Sequence, residues 1–207
     1  MLTSPLHKPR AIGGGVMTPN RFLLAIFVAV LPALTGCHAH VRVSLLDLDG
    51  RPVELLRGTD AQASVFVFVR SDCPISNRYA PELRRLATKF TPRGVTFFLI
   101  YPDPLESPDM IRAHIRDYGY PGMPLRDPDH RLVRMTDARV TPEAAVYTPD
   151  NRLVYRGRID DWYVDFGKPR AAPTTHDLED ALEAVLDGRP VAGARTTAVG
   201  CFIGDLK

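Results

Sequence analysis

Three cysteines stand in this 207-residue chain, at positions 37, 73 and 201. Of these, Cys73 sits where a strand-like run gives way to a helix-like one. Residues 64–69 read Ser-Val-Phe-Val-Phe-Val, an almost wholly apolar stretch, and Arg70-Ser-Asp then leads into Cys73. After it, apolar residues recur at Ile75, Tyr79, Leu83, Leu86 and Phe90, the spacing of one helix face. A thiol at such a junction faces unpaired backbone N–H groups and the positive end of the helix macrodipole, and both favour the thiolate. Cys73 is therefore the candidate nucleophile. Arg70 and Arg78 add to this if they turn inward, and Asp72 opposes it. The plain alternative is a buried, inert cysteine.

The rest of the composition narrows the setting. Charged residues make up 24% and hydrophobic residues 45%, ordinary values for a folded domain. The formal charge is +2, but residues 1–36 hold Lys8, Arg10 and Arg21 and no acid. The remainder is nearly neutral, with no basic face for nucleic acid. Residues 22–34 form an apolar run behind Arg21, too short to span a bilayer comfortably and broken by Pro32. It ends in Leu34-Thr35-Gly36-Cys37, which resembles a bacterial lipoprotein signal. That resemblance implies a signal segment over 1–36, lipid on Cys37, a tether over 37–40, and a domain held outside the cytoplasm at the cell envelope. The alternatives are an ordinary secretory signal, which gives a soluble periplasmic or secreted protein, and a short anchor helix. Met17 is a second candidate start, which would make 1–16 an over-extension. Both secretory readings put the chain in an oxidising space.

The elements that must position Cys73 follow from pattern. Residues 41–48 and 52–56, joined at Asp49-Gly50, predict a β-hairpin. Residues 65–69 and 95–101 predict two buried strands, with a Pro81-containing helix between them. Ser107-Pro108 predicts a helix start and Gly119 its stop. Residues 127–138 read as a loop with a short helix. Residues 144–147 and 152–156 predict a hairpin through Thr148-Pro-Asp-Asn151. Thr174 or Thr175 is the expected cap of a last helix that Gly188 ends. Residues 189–207 form a tail of mostly small residues carrying Cys201. The fold class expected is α/β: a mixed sheet with helices on both faces and an N-terminal hairpin.

With Cys73 opening a helix, Pro81 eight residues later and Val140-Thr141-Pro142 before the late hairpin, residues 41–203 resemble the thioredoxin fold. Within it they resemble the AhpC/TSA-like redoxins of bacterial cell envelopes. The run at 72–82 (Asp-Cys-Pro-Ile-Ser-Asn-Arg-Tyr-Ala-Pro-Glu) and the late Gly200-Cys201 look like one envelope subgroup. The resemblance implies a domain over 41–188, a cis Pro142 facing the cysteine, and thiol-based oxidoreductase chemistry, either thiol–disulfide exchange or that of an antioxidant redoxin. The chain also departs from the better-known motifs. Ser76 replaces the second cysteine of a dithiol motif. Phe66 and Arg70 stand where a peroxiredoxin carries Pro and Thr. Asn77 stands where a copper chaperone of the Sco type carries its second cysteine.

The site expected from this frame has Cys73 as nucleophile, with the Thr141 backbone beside it to pair with an extended partner. Cys201 is a resolving thiol if the tail folds back; otherwise it is free or bridges two molecules. Ser76 either donates to the Cys73 thiolate or is simply a first-turn residue. His114, His130 and His176 read as surface or helix residues without metal spacing. Asp160-Asp161-Trp162-Tyr163 reads as a packed polar loop or as a docking surface. No resident metal or cofactor is expected. The expected partners are a disulfide-bearing or oxidised substrate, an external thiol reductant, and the membrane through the lipid. The competing function is a non-catalytic copper-handling or partner-binding module.

Overall fold

An Asp-Gly turn opens the visible chain. Asp47 Oδ1 accepts the N–H groups of Asp49 and Arg51, each at 2.8 Å, and Gly50 takes φ +80°, a conformation open to glycine. This turn joins β1 (Val43–Leu46) to β2 (Pro52–Leu55) as an antiparallel hairpin. The computed structural model describes residues 43–56 and 60–204. The signal segment, Cys37 and the tether lie outside the described residues.

β3 (Ala63–Phe68) is buried along its whole length. It leads to α1 (Pro74–Phe90), which contains Pro81. A short 3-10 turn (Thr91–Arg93) ends at Gly94 with φ +85°, and β4 (Val95–Tyr101) follows. In α2 (Pro108–Tyr118), the Ser107 side chain accepts the Met110 N–H, and Gly119 closes the helix in the left-handed region. β5 (Met123–Arg126), α3 (Arg131–Thr136), β6 (Val140–Thr141), β7 (Glu143–Tyr147) and β8 (Leu153–Gly157) complete the middle of the chain. A small pair, β9 (Tyr163–Asp165) with β10 (Lys168–Pro169), precedes α4 (Asp177–Leu186) and β11 (Cys201–Phe202).

The main sheet runs β2-β1-β5-β4-β3-β7-β8. β3, β4 and β5 are mutually parallel, and the remaining pairs are antiparallel. Side-chain alternation on β3 separates two cores. Val65, Val67 and Val69 face α1, Ile111 of α2, and α4, whereas Phe66 and Phe68 face α3 and the hairpin. Helices thus cover both faces, as the sequence implies.

Three details differ from the expectation. Residues 123–126, to which the sequence pattern assigns no element, form a parallel strand beside β4. The last helix begins after His176, with no side-chain cap. Thr174 and Thr175 instead give their N–H groups to Asp161 Oδ1, at 2.6 and 3.0 Å. The tail does not trail away: Cys201 and Phe202 pair with β6, and Ile203 is buried in the Phe66 core.

Candidate active site

Cys73 is the N-cap of α1. Its carbonyl accepts the Asn77 N–H at 3.1 Å, and its Sγ accepts the Ser76 N–H at 3.5 Å. That amide is one of the unpaired donors of a helix start, so the sulfur performs the capping that a serine or aspartate oxygen usually performs. The sulfur has no solvent exposure.

Its lid comes from two distant segments. The Thr141–Pro142 peptide is cis, and Cys73 Sγ donates to the Thr141 carbonyl at 3.0 Å. On the far side of Thr141 lies the tail. Cys201 pairs with Thr141 and Phe202 with Val140. The Ile203 N–H extends the ladder to the Arg139 carbonyl at 2.9 Å. A Cβ on Gly200 would lie 2.2 Å from the Thr141 oxygen, so the tail reaches this position only with glycine there. Cys201 thereby packs against the core cluster that contains Cys73, where it lowers the Cys73 thiol, and both thiols are free. Cys73, Ser76, Thr141, Pro142 and Cys201 all meet at one point.

The electrostatics divide the two thiols. Burial raises the Cys73 thiol, but hydrogen bonds from Cys201 and from Ser76 outweigh it, and the thiol lies below its ordinary value. Thr141 acts both ways: its carbonyl accepts the proton of the neutral thiol, and its hydroxyl gives the thiolate a smaller stabilisation. The Ser76 hydroxyl is buried without a well-formed hydrogen bond, so its amide is the firmer contact. Cys201 moves the opposite way, pushed up to about 12 by burial and by the neighbouring Cys73.

Arg70 does not turn its charge on Cys73. It binds Asp72 at 2.8 Å and Asp103 at 3.2 Å, and donates to the Phe202 carbonyl at 3.4 Å. Arg78 is exposed. The Asp160–Tyr163 stretch is packed against α1: Tyr79 donates to Asp160 Oδ1 at 2.6 Å, and Trp162 meets the Tyr79 ring edge-on. Glu82, Asp160 and His176 form the one group of three potential metal ligands among the described residues; neither thiol belongs to it.

Sequence patterning missed the residues that hold the loop before Cys73. Glu106 is buried and accepts the Ser71 N–H at 2.6 Å. Asn77 Nδ2 donates to the Ser71 carbonyl at 3.1 Å. His114, on the buried face of α2, reaches Asn77 at 2.7 Å and Tyr101 at 3.0 Å. Tyr120 donates to the Ser76 carbonyl at 2.6 Å. The helical spacing placed His114 on α2, but nothing local marks these partners.

The AhpC/TSA family profile matches residues 38–157, more than half of the chain. An uncharacterized conserved protein from Geobacillus kaustophilus is 30% identical. Its structure superposes with a TM-score of 0.68 over 79% of this chain and 88% of that one. A hypothetical protein from Sinorhizobium meliloti 1021 is 27% identical, with a TM-score of 0.68 over 79% and 91%. A thioredoxin-like protein from Aeropyrum pernix, 21% identical with a TM-score of 0.52 over 71% and 89%, shares the fold. No curated protein matches the chain.

Proposed function

The chain belongs to the AhpC/TSA family, and from that premise we propose that it is an envelope-anchored thiol–disulfide oxidoreductase with Cys73 as nucleophile and Cys201 as resolving thiol. One observation carries the reading. The tail strand β11 sets Cys201 opposite Thr141, the residue whose carbonyl accepts from Cys73 Sγ at 3.0 Å, beside a Cys73 thiol that lies below its ordinary value.

The chemistry runs in three steps. The Cys73 thiolate attacks one sulfur of a substrate disulfide; a Cys73–substrate bond forms, the substrate S–S bond breaks, and the departing thiolate takes up a proton. Cys201 then loses its proton and attacks Cys73 Sγ. A Cys73–Cys201 disulfide forms and the second substrate thiolate leaves, so the substrate gains the two electrons that the protein loses. Burial raises Cys201 most and Cys73 adds to it; once the Cys73 sulfur is covalently engaged the second contribution is gone, which eases deprotonation of the resolving thiol. An external dithiol then restores the pair. Its first thiolate attacks Cys201, the more exposed sulfur, and expels Cys73, the better leaving group. Its second thiol displaces Cys201 from the mixed disulfide. Beside Cys201 an open groove of about 700 Å³, lined in part by Val140, Phe166 and Phe202, gives the reductant a place to approach. With a peroxide ROOH as the oxidised substrate, the Cys73 thiolate takes the terminal oxygen to give a sulfenic acid while the O–O bond breaks and ROH leaves, and Cys201 then displaces water to form the same Cys73–Cys201 disulfide.

The same reading assigns residues 1–36 to a signal segment, Cys37 to lipid attachment, 37–40 to a tether, 41–188 to the redoxin domain and 189–207 to the tail that carries the resolving thiol. The domain then faces the periplasm, held by lipid. Turnover tests the chemistry: a disulfide substrate with a dithiol reductant in excess. Cys73→Ser is expected to abolish catalysed reduction, and Cys201→Ser to trap a substrate adduct on Cys73. Full turnover by Cys73→Ser overturns the proposal. Labelled palmitate incorporation in a bacterial host, lost on Cys37→Ala, tests the anchor.

A further inference from the structure

The loop that delivers Cys73 is gripped from both sides at a single residue. Ser71 gives its N–H to the buried Glu106 carboxylate at 2.6 Å. Its carbonyl accepts Asn77 Nδ2 at 3.1 Å. Because Asn77 donates there with its amide nitrogen, its Oδ1 is an acceptor, and the atom facing it at 2.7 Å is His114 Nε2. His114 must therefore carry its proton on Nε2. Its Nδ1 is then an acceptor, and Tyr101 supplies the hydroxyl at 3.0 Å. The donors run one way: Tyr101 to His114 to Asn77 to the Ser71 carbonyl.

The Tyr101 and His114 members of this chain are buried, and Asn77 is half-buried. Tyr101 is fully buried and His114 is 4% exposed. The imidazole is enclosed by three tyrosines, Tyr101, Tyr118 and Tyr120, with ring centroids at 4.9 to 5.8 Å. Burial keeps His114 neutral, pushing it down to about 4, the form the relay requires. Tyr120 adds a parallel hold, donating to the carbonyl of Ser76 at 2.6 Å. The backbone these side chains hold at Ser71 leads directly into Cys73, the N-cap of α1.

We propose that the Tyr101–His114–Asn77 relay is a positioning device that fixes the Ser71–Cys73 loop so that Cys73 Sγ meets its hydrogen-bond donors. None of these side chains touches the sulfur with a bonding atom; they act through the backbone of Ser71. This rests on Cys73 being the nucleophile, and it assigns a role to α2 that the family motifs do not require.

The test is the pH profile of Cys73 alkylation by iodoacetamide, in full-length protein carrying Cys201→Ser so that one described thiol responds, with Cys37 replaced by Ala. His114→Leu removes both hydrogen bonds while filling the space. His114→Gln keeps one donor and one acceptor. With the relay acting on the thiolate, His114→Leu moves the midpoint to higher pH and slows alkylation at pH 7 by roughly tenfold, about one pKa unit, and His114→Gln restores the rate to within about threefold. Tyr101→Phe, which deletes a single hydroxyl and keeps the ring, is expected to shift the midpoint in the same direction and serves if His114→Leu fails to fold. Identical profiles for the parent, His114→Leu and Tyr101→Phe overturn the relay, as does a His114→Gln profile equal to that of His114→Leu. A parent in which Cys73 does not alkylate at all overturns the nucleophile itself, a separate result.

Discussion

Gly200→Ala separates the tail from the nucleophile without touching either sulfur. The added Cβ would lie 2.2 Å from the Thr141 oxygen and 2.6 Å from its carbonyl carbon, so strand β11 must retreat by about 1 Å to reach ordinary contact. The Ile203 N–H sits 2.9 Å from the Arg139 carbonyl, and a shift of that size takes it outside hydrogen-bonding range. The pairing of Cys201 with Thr141 loosens equally. Losing two such bonds costs about 2 kcal/mol. The docked-to-undocked ratio of the tail therefore falls by about thirtyfold. Quenched-flow mass spectrometry after a pulse of diamide measures closure of the Cys73–Cys201 disulfide directly. Closure slower than in the parent, by up to about thirtyfold, is expected. Unchanged closure in Gly200→Ala would refute the docking argument.

Three further outcomes follow from other contacts. Removing the largest donor to the Cys73 thiolate, by Cys201→Ala, raises the Cys73 thiol; its alkylation profile moves to higher pH, whereas Cys201→Ser, which keeps a donor, moves it less. Asp127 accepts the N–H groups of Arg131, Leu132 and Val133 at 2.7 to 2.9 Å and caps a helix of six residues; Asp127→Ala is expected to cost about 2 kcal/mol in urea unfolding. Glu179 binds Arg85 and Lys89, with Arg85 the larger cause of a carboxyl lowered from 4.5 to about 2. A depressed carboxylate stabilises the fold above its unfolded value, and that contribution fades as pH falls from 4.5 towards 2. Glu179→Gln is therefore expected to cost about 1 kcal/mol at pH 7, discounted for the half-exposed cations, with the gap from the parent closing between those pH values.

Much of the architecture was legible because it is local. The run at 64–69, the apolar face from Ile75 to Phe90 and the Ser107-Pro108 start each carry their signal within a few residues, and the strands and helices fall where they point. β5 escaped because four residues with a proline, Met123-Pro-Leu-Arg126, show no periodicity; its parallel pairing with β4 defines it. β11 escaped for the same reason, as two residues whose partner lies sixty positions away. The Thr174 and Thr175 cap was misassigned because Asp161, which no spacing rule links to them, takes their amides. At the site, Cys73 was readable from its junction and Pro142 from the family pattern. His114 read as an ordinary helix residue; its partners Tyr101 and Asn77 come from a strand and from another helix, and only folding brings them together.

The proposed chemistry requires Cys73 and Cys201 to form one redox pair. Non-reducing peptide mass spectrometry of the full chain, treated with one equivalent of diamide and quenched in acid, reads that pairing. The expected result is a single crosslinked peptide pair joining Cys73 to Cys201 within one molecule. Free thiols at both positions, or a Cys201–Cys201 bridge between two molecules with Cys73 unmodified, would contradict it.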